Sequence, residues 1–150
     1  MPLVSLMILM TSDSQYYSTD QKTIANHADR LIEAFQVKCP DNQTTCAALS
    51  GGNIQKVILA RELTRNPKVL IAAYPTRGLD IGAAEYVHRR LLEARDHDKA
   101  VLVISEELDE LLNICDRIAV IYEGKILKIF LRKEANKSAL GLVMAGVADA

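Results

Sequence analysis

The residues best suited to chemistry stand together in Leu49-Ser50-Gly51-Gly52-Asn53-Ile54-Gln55-Lys56. Ser50 offers a hydroxyl, and two glycines without side chains leave their backbone N–H groups open to close approach. If a helix starts here, its positive dipole end adds to them, and the whole suits an anion such as a phosphate. A second reading needs no ligand: Ser50 caps the helix and the glycines make a turn. For an isolated Ser-Gly-Gly that plainer reading is the commoner one. What stands downstream bears on the choice: Ala60-Arg61-Glu62-Leu63, an apolar run, Pro75-Thr76-Arg77-Gly78-Leu79-Asp80, then Val101-Leu102-Val103-Ile104-Ser105.

Elements of ordinary length must hold these residues. From Asp20 the apolar spacing Ile24, Ala28, Leu31, Ile32, Phe35 is helical, and residues 40–45 break it. A second helix carries Val57, Ile58, Leu59 and Leu63 and ends before Asn66-Pro67. The run Val69–Ala73 reads as a short strand buried on both faces. A turn over 75–78 leads to a helix with Ile81, Ala84, Val87, Leu91 and Ala94 inward. Residues 101–104 read as a second buried strand, 106–113 as a short acidic helix and Arg117–Tyr122 as a third strand. Glu123-Gly124 is a tight turn into a strand over 125–130, making a hairpin. A last helix covers about 134–145, with Gly146 placed to end it. Residues 1–10 are apolar but too short to span a bilayer, and read as a buried strand or helix or as a cut edge; 12–19 read as a loop. Strand, helix, strand, helix, strand is the order of a parallel α/β sheet with right-handed crossovers.

The bulk numbers fit that class. A chain of 150 residues is one domain by length, 49% hydrophobic and 25% charged, with a net charge of −1. Nothing in that balance steers it to nucleic acid or an anionic membrane. The pairs Arg89-Arg90 and Arg132-Lys133 have no aromatic residues interleaved and read as solvated helix faces. Cys39, Cys46 and Cys115 lack metal-ligand spacing, and an odd count suits free thiols in a reducing compartment.

In order and spacing these residues resemble the second half of an ABC transporter ATPase, strongly over residues 49–129 and more loosely in the flanking helices. Residues 49–56 match the family signature, 69–76 its Walker B strand and 78–80 its D-loop. Ser105 and Glu106 fall at the switch-histidine loop, and Asp116-Arg117-Ile118 to Gly124-Lys125-Ile126 matches the closing hairpin. Asn53, with Gln55-Lys56 after it, looks like importers of simple sugars and nucleosides, as does Pro75-Thr76-Arg77-Gly78-Leu79-Asp80-Ile81-Gly82-Ala83. In those importers two cassettes share one polypeptide, and this chain looks most like the second. The resemblance implies a partial P-loop NTPase (RecA-like) fold: a parallel sheet with flanking helices and a C-terminal β-hairpin, without the Walker A strand and loop. It divides the chain into the remainder of a helical subdomain (about 1–48), the signature motif and helix (49–65), and the C-terminal part of a catalytic core (66–150).

Three departures bear on mechanism. No Gly-x-x-x-x-Gly-Lys-Ser/Thr occurs, so there is no cradle for β- and γ-phosphates and no hydroxyl for magnesium. Ala73 and Tyr74 stand where the Walker B strand should end in Asp-Glu. Alanine cannot engage the metal shell, and a neutral phenol is a poor general base. Glu106 replaces the switch histidine and would repel a γ-phosphate. None of His27, His88 and His97, read as solvent-facing on helices or at their ends, makes good the loss. The resemblance therefore implies no catalytic or metal-ligating residue and no hydrolytic activity for the chain alone.

Family members work as head-to-tail pairs, each ATP held between the Walker loop of one cassette and the signature of the other. On that pattern Ser50, Gly51, Gly52 and Asn53 would bind the γ-phosphate of ATP on a partner cassette, and Asp80 would align the partner's site. ATP and Mg²⁺ would then be met only at a composite site. Permease subunits would hold the chain at the cytoplasmic face of the membrane, an extracytoplasmic binding protein would act indirectly, and nucleic acid would play no part. Two alternatives remain open at this point: a silent module docking on a permease or cassette, and a truncated product with no function of its own.

Overall fold

The computed structural model describes residues 21–147; the expectations for 1–10 and 12–19 lie outside the described residues. The chain divides into two compact units, one running to Leu102 and the other from Val103, so that the boundary falls inside a strand.

Among the described residues the first unit has α1 (Gln21–Ala34), whose apolar stripe buries Ala28 completely. Gln36, at φ 52°, ends it in a left-handed turn. The Val37 N–H donates to Ile32 O and the Gln36 N–H to Glu33 O, which satisfies the helix's last carbonyls and brings Phe35 and Val37 into the core. A 3-10 turn (Cys46–Ala48) leads to α2 (Gly51–Thr64), which buries Val57, Leu59 and Ala60. Next comes β1 (Val69–Ala73), then α3 (Ile81–Asp96), which buries Tyr86, Val87, Leu91 and Ala94. The strand that the boundary divides is β2 (Ala100–Ile104), which pairs with β1 in a two-stranded parallel sheet.

Three expectations need correction here. Neither strand is buried on both faces: Val69 is 61% exposed, Ile71 64%, Leu102 53% and Ile104 45%, with Leu70 alone buried on β1. A continuous apolar run reports two coverable faces, and the described elements cover one. Ile81 points outward, 81% exposed, although α2 meets the same first turn of α3 at Ala83. Arg90 does not lie on a solvated face: it packs 4.4 Å from the Phe35 ring centroid and pairs with Glu93 at 2.7 Å.

The second unit holds α4 (Leu108–Ile114), β3 (Arg117–Tyr122), β4 (Lys125–Leu131) and α5 (Lys137–Met144). Strands β3 and β4 form the expected antiparallel hairpin, with Ile118 opposite Phe130 and a bulge between Val120 and Ile121. Glu123 and Gly124 both take positive φ, 47° and 76°, as a type I′ turn requires. Alternation puts Ile118, Val120 and Phe130 on one face, where Leu112, Ala135, Leu140 and Val143 close a core over them. Arg132 and Lys133 follow β4 in a turn rather than on a helix, which corrects their reading as a helix face.

Helix α5 starts at Lys137, later than the periodicity predicts, because Asn136 is its N-cap and accepts from the Ala139 N–H at 2.9 Å. The preceding Ala135 is buried in a turn closed by its N–H on Leu131 O. Asn136→Ala should lower stability by about 1 kcal/mol, read as a shift of the urea midpoint at unchanged slope. At the other end Gly146, at φ 86°, stops the helix as expected, with Val147 N–H on Leu142 O. Cys39, Cys46 and Cys115 form no disulfide.

Candidate functional site

Ser50 occupies the N-cap position of α2 in extended conformation, yet its side chain accepts no bond from a backbone N–H of the helix's first turn. Ser50 thus holds the cap position that the plainer reading expects, without the side-chain bond of a cap. Its Oγ instead accepts from Asn53 Nδ2 at 3.0 Å, and Asn53 Oδ1 accepts from the Lys38 backbone N–H at 2.8 Å. Ser50 and Gly51 are exposed, while Gly52 and Asn53 are half-buried. The helix start thus presents a hydroxyl and first-turn N–H groups that no side chain of its own caps.

Glycine at position 52 has a packing cause as well. A Cβ there would stand 2.9 Å from the Ala83 Cβ, closer than two such atoms can approach, so α2 and α3 meet across a missing side chain. Gly51 lies against Leu79, with a Cβ position 3.7 Å from its Cδ2. These contacts bring the start of α2 beside the start of α3. There Asp80 caps α3, its carboxylate accepting from the Ala83 N–H at 2.9 Å. Residues 50–53 and Asp80 are therefore neighbours.

Behind them stands a basic cluster that the sequence did not single out. Lys56 Nζ donates to Gln36 O at 2.9 Å and lies 4.7 Å from the Tyr86 ring centroid, with Arg89 5.5 Å from the same ring. Burial, with Lys38 beside it, holds the Lys56 ammonium below its ordinary pKa; Asp80 pulls it up and Arg89 pushes it down. The sequence signals were Lys56's place in the motif and the Arg89-Arg90 pair, read as a solvated face; Gln36 and Tyr86, the partners of Lys56, are 20 and 30 residues from it.

At the end of β1, Ala73 and Tyr74 are exposed. Tyr74 adopts φ 49°, uncommon for a bulky residue, and Arg77 stands 5.7 Å from its ring. No carboxylate is offered there, and among the described residues no three His, Cys, Asp or Glu side chains converge as a metal site would need. These residues do not fit a magnesium ion held by this chain. Glu106 belongs to the second unit, exposed in the loop before α4, where Ser105 Oγ accepts from the Glu107 N–H at 3.1 Å. The histidines differ from expectation: His97 is exposed at the end of α3, but His27 and His88 are half-buried. Burial, with Arg30 nearby, lowers the His27 pKa.

No profile of a known protein family matches the chain. Individual relatives do. It is 52% identical over 133 residues, 89% of its length, to the nucleoside import ATP-binding protein NupA of Lactococcus lactis. It is 55% identical over 119 residues to the guanosine import ATP-binding protein NupO of Bacillus subtilis. To the ribose import ATP-binding protein RbsA of Clostridium perfringens it is 38% identical over 144 residues. It spans 26%, 23% and 29% of these relatives, about a quarter of their length. Among solved structures, an ATP-binding cassette of an ABC transporter superposes with a TM-score of 0.74 at 21% identity, covering 99% of this chain and 63% of that one. A dimeric cassette in a post-hydrolysis state bound to ADP and Pi superposes at 0.67 and 21% identity, covering 86% of this chain and 54% of that one. The chain thus has the fold of part of an ABC ATPase cassette and is homologous to a part of ATP-binding proteins named for sugar and nucleoside import.

Proposed function

We propose that the chain supplies residues 50–53 in trans to ATP held on a partner cassette, and so couples ATP hydrolysis to import of a sugar or nucleoside. The observation that carries this reading is the exposed Ser50 hydroxyl at a helix start, accepting from Asn53 and not spent on a cap. First-turn N–H groups and the dipole end of α2 add to it, and such groups bind anionic oxygens well. The similarity to a dimeric cassette bound to ADP and Pi supports a paired arrangement. Asp80, capping the neighbouring helix, would align the partner's site across the interface.

Magnesium would arrive with the partner's ATP, since Ala73 and Tyr74 offer it nothing here. The chain then contributes no general base, and its part in hydrolysis is to stabilise charge on the phosphate. In this reading it corresponds to the C-terminal part of a second, degenerate cassette, with 1–48 from the helical subdomain, 49–65 the signature and 66–150 the core. Permease subunits would hold it at the cytoplasmic face of the membrane, and a binding protein outside would deliver the cargo. No helix among the described residues is long and apolar enough to cross a membrane.

The test mixes the purified chain with an ABC cassette that carries an intact Walker A loop and follows phosphate release. Wild-type chain should raise the partner's ATP hydrolysis, and Ser50→Arg should remove that rise while nucleotide-free docking persists. Losing one charge-stabilising donor of this kind costs about 10²–10³ in rate. Equal stimulation by the variant would overturn the proposal. A silent docking module would then be the better reading, in keeping with the absence of a carboxylate at 73 and 74.

A further inference from the structure

We infer that Asn53 is a positioning residue that fixes the direction of the Ser50 hydroxyl proton, a role that rests on the trans-phosphate reading above. The argument is one of donors and acceptors. A backbone N–H can only donate, so the Asn53 atom that faces the Lys38 N–H at 2.8 Å must be its carbonyl oxygen. The amide orientation is thereby settled, and the atom 3.0 Å from Ser50 Oγ must be the NH₂ group. That group donates, so the Ser50 oxygen accepts. A serine hydroxyl has one proton and two lone pairs; with a lone pair taken by Asn53, the proton is left to donate outward.

Ser50 is exposed, so the outward direction meets whatever docks on this helix start. An anionic oxygen, such as a phosphoryl oxygen, matches a hydroxyl held as a donor. Asn53 thus works through Ser50 instead of reaching for the ligand itself. It also ties the start of α2 to residue 38, beyond the left-handed turn at Gln36 that ends α1. A second tie runs in parallel, from Lys56 Nζ to Gln36 O. The loop after α1 and the start of α2 are therefore tied at two points.

Asn53→Asp separates this role from a merely structural one. The aspartate keeps an oxygen for the Lys38 N–H, and an acidic side chain in the first turn of α2 favours the helix. It has no hydrogen to give Ser50, so the hydroxyl turns inward to donate to the carboxylate. The readout is the Mg-ATP-dependent affinity of the full chain for a hydrolysis-blocked cassette carrying a Walker A loop. Ser50→Ala and Asn53→Asp should each weaken it about tenfold or more, as expected for a lost hydrogen bond to a charged group. Adding Asn53→Asp to Ser50→Ala should cost little more, since the two act as one unit. Thermal midpoints should stay level.

If Ser50→Ala weakens association and Asn53→Asp does not, the positioning role is wrong and the trans reading stands. If neither variant weakens it, the trans reading fails and takes this role with it. The hydrogen-bonded tie itself is checked on the free chain by nuclear magnetic resonance. Ser50→Ala should move the Asn53 side-chain NH₂ resonances and leave the Lys38 backbone amide in place. Unmoved NH₂ resonances would overturn the inference whatever the association data say.

Discussion

Leu140→Ala should cost about 2–5 kcal/mol and unfold the second unit at ordinary temperature. Leu140 is fully buried, as is Val143 one turn on, and together they seat α5 on the hairpin face formed by Ile118, Val120 and Phe130. A unit of 48 residues from Val103 has little stability to spare, because small units bury a small fraction of their surface. Hydrogen exchange would show the loss directly. Amides of β3 and β4 should lose protection in the variant, while those of α2 and α3 keep most of theirs if the units open separately. A variant with native protection in β3 and β4 would mean that Leu140 is not the closing residue of this core.

Gly52→Ala is the second large effect, and its sign is not what helix propensity suggests. Alanine is favoured over glycine in a helix interior by about 1 kcal/mol. Here the added methyl would sit 2.9 Å from the Ala83 Cβ, an atom fixed to backbone that cannot swing away. Either α2 or α3 must shift, and overpacking of this kind costs about 1–3 kcal/mol. The shift would also move Ser50 and Asp80, at the two helix starts, relative to each other. The double variant Gly52→Ala/Ala83→Gly should recover much of the lost stability by moving the gap to the other helix. Urea unfolding of the single and double variants checks both statements. No recovery in the double variant would mean that the contact with Ala83 is not what position 52 is for.

The elements themselves were legible because each carries a local signal. Ile24, Ala28, Leu31 and Ile32 sit at helical spacing in α1, Glu123-Gly124 can take two positive φ values, and Gly146 ends the last helix. Burial was less legible, since a run such as Val69–Ala73 says which faces could be covered and not which are. The start of α5 was missed because Asn136 competes with a helical-looking Glu134-Ala135, and its side-chain bond to Ala139 decides the matter.

At the candidate site the motif residues could be read, and their partners could not. Nothing local announces that the Lys38 N–H, 15 residues away, will take the Asn53 oxygen. Nor does any spacing say that Tyr86 will lie under Lys56. Such ties depend on how α1, α2 and α3 pack together. Chemistry written in one segment is legible; chemistry assembled from three is not.

The bare side of β1 and β2 has a consequence for mutational drift. Val69, Ile71, Leu102 and Ile104 are each 45% exposed or more, and surface substitutions of this kind change stability by only about 0.5 kcal/mol either way. The folding of the described chain therefore exerts almost no hold on their identity. Lysine or threonine would serve there about as well. Any constraint that keeps these four positions bulky and apolar must act from outside this fold, so their tolerance in a mutational scan would distinguish a chain that works bare from one that works covered.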